Sequence, residues 1–153
     1  MKVLFLDIDG VLNSHKYDLT RMPDEGNIDE TRLPLLFEII VRTDAKIVLS
    51  SSWREHHWSK EADMSDAVGW ELDELFGRYG LEIFDKTPVL PNNDRSEEIK
   101  RWLADHEAEH FVILDDLRFG WGDLDPFVVK TSYRIGRGLE QKHVDAAIKL
   151  LNG

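Results

Sequence analysis

Residues 2–10 read KVLFLDIDG, in which the apolar run Val3 to Leu6 gives way to Asp7, Ile8, Asp9 and Gly10. A run this short and this apolar predicts a strand buried on both faces. The pattern recurs at Ala45–Leu49, which leads into Ser50-Ser51-Ser52, and at His110–Leu114, which leads into Asp115-Asp116. Two more strands are expected at Leu81–Phe84 and Phe127–Lys130. Between them lie stretches of helical period. One runs from a capping Asp29 to about Arg42, with Pro34 arguing for a later start. The others are Ser65–Tyr79 with Gly80 as its stop, Ser96–Glu107 and Leu139–Leu151. Strands alternating with helices predict an α/β fold, a three-layer doubly wound parallel sheet whose ligands collect at the carboxyl ends of the strands. Asp7, Ser50–Ser52 and Asp115–Asp116 should therefore meet at one edge.

The chain has 153 residues, which suits one domain spanning 1–153. It carries 19 basic and 30 acidic residues, a formal charge of −11. Long-range repulsion then disfavours extended contact with a nucleic-acid backbone unless a local basic patch exists. The sequence shows no basic run, only scattered pairs such as Lys100–Arg101 and Arg134 with Arg137. There is no cysteine, so thiolate catalysis and zinc–thiolate sites are excluded. The opening apolar run is too short for a signal peptide, and nothing approaches the ~20 apolar residues needed to span a bilayer. A cytoplasmic protein without membrane partners is expected.

Two carboxylates two residues apart on an extended segment point the same way, and Gly10 lets the backbone turn sharply after them. A DxD at a strand end also serves as a plain turn, but a carboxylate at the mouth of a core costs desolvation unless a cation or hydrogen bonds hold it. The adjacent carboxylates Asp115 and Asp116 need a counter-charge for the same reason. Hard oxygen ligands without nearby His or Cys favour Mg²⁺ over zinc.

VLFLDIDGVLN closely resembles the first signature of the haloacid dehalogenase-like (HAD) phosphohydrolases, and three further elements follow in that superfamily's order. The resemblance implies Asp7 as nucleophile on phosphorus and Asp9 as general acid, then base. It also implies Mg²⁺ held by the Asp7 carboxylate, the Asp9 carbonyl and an acid from Asp115-Asp116. Asp116 is favoured as the direct ligand, with Asp115 its water-mediated neighbour. A serine ending the second strand would bind the phosphoryl oxygens. Ser51 is preferred, and Ser50 and Ser52 stay open. The cation of the third signature is Arg95, with Lys86 in reserve and Lys100 expected to face outward. Gly10, Ser52 and Arg54 are candidate substrate contacts.

DIDGVLN, SSWRE and EIKRWL also look like the HAD-type domains of RNA-repair proteins. This resemblance implies a nucleotide or polynucleotide end phosphatase as an alternative to a general phosphatase. Cap inserts, which set substrate choice in the superfamily, have little room at Asn13–Asp29 or Glu55–Lys86, so an uncapped or minimally capped site is expected. It would be open to a phosphorylated small molecule or a phosphorylated polymer end. Two rivals are weaker. A non-catalytic binding module would usually have lost Asp7 or Asp9, and a receiver-type domain carries its acidic pair early and its phosphorylated Asp later. The five tryptophans are expected to pack rather than stack on bases. His56 and His57 cannot share a helix face as a metal pair. RFGWGD reads equally as a loop over the site or an ordinary turn.

Overall fold

The computed structural model describes residues 1–14, 28–51, 67–134 and 136–153. Strands β1 (Lys2–Leu6), β2 (Lys46–Leu49), β3 (Ile83–Lys86), β4 (His110–Asp115) and β5 (Val128–Lys130) form one sheet in the order β3-β2-β1-β4-β5. Every pairing is parallel. From β1 the chain winds outward to β3 and then returns across it to β4 and β5. The order reverses between β1 and β4, and such a reversal opens a crevice at the carboxyl ends of the two strands.

The helices are α1 (Leu33–Thr43), α2 (Ala67–Arg78), α3 (Arg95–Ala104) and α4 (Gln141–Asn152). Alternation along β1 divides the core in two. Leu4 and Leu6 face α1, α2 and α4 through Leu36, Ile39, Leu72, Phe76, Val144 and Ile148. Val3 and Phe5 face Ile99 and Trp102 of α3 together with Trp121 and Leu124. The result is the expected three-layer α/β sandwich. Trp102 and Trp121 are buried, as packing tryptophans should be. Trp53 and Trp58 lie outside the described residues.

Several boundaries differ from those expected. Asp29 caps a short 3₁₀ turn, Glu30–Arg32, and α1 begins only at Leu33 because Pro34 is confined to the first turn of an α-helix. Strand β3 starts two residues late, because the Leu81 amide still donates to the Phe76 carbonyl in the exit from α2. It also extends through polar Asp85 and Lys86, which an edge strand tolerates. Helix α3 starts one residue early, so that Arg95 is its first residue, and stops at Ala104. Leu139 lies outside α4: its amide donates to the Val11 carbonyl at 2.7 Å, and the helix begins after Glu140. Helix α2 and β3, within the second candidate cap interval, belong to the core. Among the described residues no helix is long and apolar enough to cross a membrane.

Candidate active site

The strand ladders continue one residue past their ends. The Asp7 amide donates to Leu114 (3.0 Å), the Ser50 amide to Leu6 (2.9 Å) and the Thr131 amide to Asp115 (3.0 Å). These bonds carry Asp7, Ser50–Ser51 and Asp115–Asp116 to one rim. Carboxylate oxygens of Asp7, Asp115 and Asp116 lie within 4.8 Å of one another. Asp7 and Asp115 are buried, and Asp116 is partly so.

Arg95, first residue of α3, reaches into this cluster. Its Nη1 lies 2.8 Å from Asp115 Oδ2 and 3.2 Å from Asp7 Oδ2. The helix start is fixed by Asp94, whose side chain accepts from the Glu97 amide. Of the other two cations considered, Lys100 faces outward to Asp123 (2.7 Å) and Glu97 (3.7 Å), and Lys86 lies at the carboxyl end of the edge strand, in register with Leu49.

One guanidinium does not balance three acids. Burial and then the Asp115 carboxylate push the Asp7 carboxyl well above the usual carboxylate range, against the opposing pull of Arg95. Burial and Asp115 raise Asp116 as well. Burial works against the charge on Arg95, but Asp7 and Asp115 outweigh it and hold its affinity for the proton above the ordinary value. The cluster is thus short of positive charge. Oxygen donors on three converging side chains suit a hard divalent cation such as Mg²⁺. Close approach is built in at Gly10, where φ is +86° and a Cβ would stand 2.3 Å from Asp116 Oδ2.

Asp9 is placed differently from the expectation of two carboxylates aligned along a strand. The chain turns at Ile8, whose carbonyl accepts from the Val11 and Leu12 amides, so Asp9 sits in a turn. Its carboxylate accepts from Asn13 Nδ2 at 2.9 Å, and Asn13 Oδ1 accepts from the Gly10 amide at 2.9 Å. Thr131, fully buried, closes the turn from the other side by donating to the Gly10 carbonyl at 2.6 Å. Sequence reasoning missed both supports. Asn13 could have been found, because it stands four residues after Asp9 at a turn. Thr131 could not, because it arrives from the far end of the chain.

Ser51, nearly inaccessible to solvent, lies just past the β2 ladder. Ser52, Arg54, His56 and His57 lie outside the described residues. The RFGWGD segment bends at Phe119 and leads into a 3₁₀ helix, Gly122–Phe127. Trp121 is buried, with its Nε1 donating to the Leu117 carbonyl, while Phe119 stands 84% exposed.

A parallel sheet reversing between β1 and β4, with DxD on one side and DD on the other, defines a HAD-like phosphohydrolase core. The chain belongs to the family described as the HAD domain in Swiss Army Knife RNA repair proteins, whose family model matches residues 3–144. No curated protein and no solved structure matches it.

Proposed function

We propose that this protein is a Mg²⁺-dependent phosphatase that hydrolyses a phosphate monoester through an aspartyl-phosphate on Asp7. The observation that carries the reading is the meeting of Asp7 with Asp115 and Asp116 within 4.8 Å, with Arg95 3.2 Å from the Asp7 carboxylate. Asp7, the Asp9 carbonyl and Asp116 would hold the ion. Asp115 is the less available acid, because its Oδ2 accepts from Arg95 and its Oδ1 from the Leu117 amide at 2.9 Å. When bound, Mg²⁺ supplies positive charge that keeps Asp7 ionised and screens its repulsion from an incoming phosphate.

The side chains divide the remaining work. Asp7 Oδ attacks phosphorus in line, and the ester P–O bond breaks as Asp9 gives its proton to the leaving oxygen. Asp9, now ionised, takes a proton from the water that cleaves the acyl phosphate, and Asp7 is released. Ser51 donates to a phosphoryl oxygen, and Arg95 offsets charge on the equatorial oxygens. Gly10, whose missing Cβ lets Asp116 approach, is a candidate for substrate contact. Ser52 and Arg54 are further candidates for substrate contact.

A second reading, end phosphatase on a polynucleotide or nucleotide, is favoured by the family's description, which places such domains in RNA repair proteins. Hydrolysis of p-nitrophenyl phosphate with and without Mg²⁺ tests the general reading. Metal-dependent turnover abolished by Asp7→Asn is the expected result, and undiminished turnover by that variant would sink it.

A further inference from the structure

Beside Asp116 the rim opens into a cavity of about 540 Å³. Its walls are Arg118 just past β4, Lys130 at the end of β5, Arg134 and Arg137 in the following loop, and Lys142 at the start of α4. Among the described residues only two carboxylates line it, Asp116 and Glu140. The chain as a whole is acidic at −11, so five basic side chains around one hollow reverse its sign locally. No basic run stands in the sequence, but basic residues spread over 118–142 are gathered by the fold into one basic patch.

The cations are held by replaceable partners. Arg137 Nη1 lies 3.3 Å from Glu140, and Lys142 Nζ 4.0 Å from the same residue. Lys130 leans on Asp125 outside the cavity at 2.7 Å, and Arg118 donates to the Thr131 carbonyl. Partly exposed pairs of this kind contribute little and are readily exchanged for a stronger anion. His143 adds a neutral donor to the wall: its Nδ1 accepts from the Glu140 amide, which leaves the proton on Nε2.

The cavity is also tied to the reacting end by hydrogen bonds. Thr131 donates to the Gly10 carbonyl, the Leu139 amide to Val11, and the Gly136 amide to Ser14 Oγ. The loop that carries Arg134 and Arg137 is therefore stitched to the turn that carries Asp9.

We propose that this cavity is a subsite for a second phosphate group of the substrate, so that the preferred substrates carry one phosphate to be cleaved beside Asp7 and another seated among Arg118, Arg134, Arg137 and Lys142. This rests on the phosphatase reading and narrows it to bisphosphates, including a strand end whose neighbouring phosphodiester supplies the second anion. Charge-assisted hydrogen bonds to phosphate raise affinity by roughly tenfold to a hundredfold.

The test compares a nucleoside 3′,5′-bisphosphate with the two matching monophosphates, in wild type and in the Arg134→Ala/Arg137→Ala double variant. Both residues are exposed, so truncation spares the core. In wild type the bisphosphate is expected to have at least tenfold higher kcat/KM, carried by KM, and the double variant to reduce that ratio about tenfold. A ratio unchanged by the substitutions would overturn the subsite. Parallel arms with a sugar bisphosphate and with a short phosphate-ended oligonucleotide identify the source of the second phosphate by which keeps the larger arginine-dependent advantage. Calorimetric binding of the nucleoside bisphosphate to Asp7→Asn, with and without the two arginine substitutions, separates the two readings. Arginine-dependent binding without turnover by wild type leaves the cavity standing and removes the phosphatase, whereas turnover with binding indifferent to the arginines removes the cavity alone.

Discussion

Arg95 joins the two acidic clusters through a single nitrogen: its Nη1 is 2.8 Å from Asp115 Oδ2 and 3.2 Å from Asp7 Oδ2. The nucleophile proposed here thus shares its counter-charge with a fully buried neighbour. Replacing Arg95 by Met leaves Asp7 and Asp115 facing each other without that charge. Breaking a buried pair costs about 3–5 kcal/mol, and because the Arg95 side chain is 24% exposed the expected loss is smaller, about 1–3 kcal/mol in metal-free protein. Mg²⁺ should raise the melting temperature of the variant more than that of wild type. Turnover should fall by roughly 10²–10³, as for loss of one transition-state donor. A melting temperature and turnover both within experimental error of wild type would show that Arg95 is incidental to the site.

Gly10 and Gly120 separate two costs that are usually mixed. Both have left-handed φ, +86° and +87°, but a Cβ at Gly10 would stand 2.3 Å from Asp116 Oδ2, and at Gly120 it would meet nothing within 4 Å. Alanine at either position costs about 1–3 kcal/mol of backbone strain. Only Gly10→Ala should also displace Asp116, with at least a tenfold rise in the Mg²⁺ concentration needed for half-maximal activity. Equal Mg²⁺ requirements in the two variants would remove Asp116 from the metal site.

The strand ends were legible because an apolar run stopped by a carboxylate or serine has few other readings in an α/β chain. Asp7, Asp115 and Arg95 all meet at the rim that this reasoning chose. What it misplaced depended on contacts made elsewhere. The orientation of Asp9 is set by Asn13 rather than by strand alternation, and the late start of β3 by a hydrogen bond from Leu81 back to α2. The start of α4 was hidden because its N-cap is Glu140, whose amide donates to His143 Nδ1, and no serine or aspartate announces such a cap. Least legible was the basic cavity. Net charge is a sum over the chain, and it says nothing about which arginines a loop will bring together.

The elevated proton affinity of Asp7 has a consequence for stability. A carboxyl that binds its proton more tightly in the folded than in the unfolded chain contributes stability at low pH, and the contribution is lost as pH rises through the folded value. Metal-free wild type should therefore lose stability relative to Asp7→Asn as pH rises above the ordinary aspartate range of about 4. Each tenfold gain in proton affinity corresponds to about 1.4 kcal/mol. Urea unfolding in EDTA between pH 4 and 8 measures this, and Mg²⁺ should restore wild type at the upper end. A difference between the two proteins that does not vary with pH would contradict the desolvated, acid-crowded setting of Asp7.

Asn13 offers the sharpest view of Asp9. It bridges the turn, donating to the Asp9 carboxylate and accepting from the Gly10 amide, both at 2.9 Å. Asn13→Ala removes both bonds while leaving Asp7, Arg95 and the acidic pair in place. If Asp9 protonates the leaving oxygen, its misplacement matters most where that oxygen is a poor leaving group. Turnover of an alkyl phosphate should then fall by about 10²-fold, within the range general acid catalysis supplies, and that of p-nitrophenyl phosphate by less than tenfold. The contrast lies between substrates, so a general loss of folded protein would lower both rates together and be recognised as such. Equal losses on the two esters, with Asn13→Asp no better than Asn13→Ala, would mean that the turn is scaffolding and that the proton comes from another group.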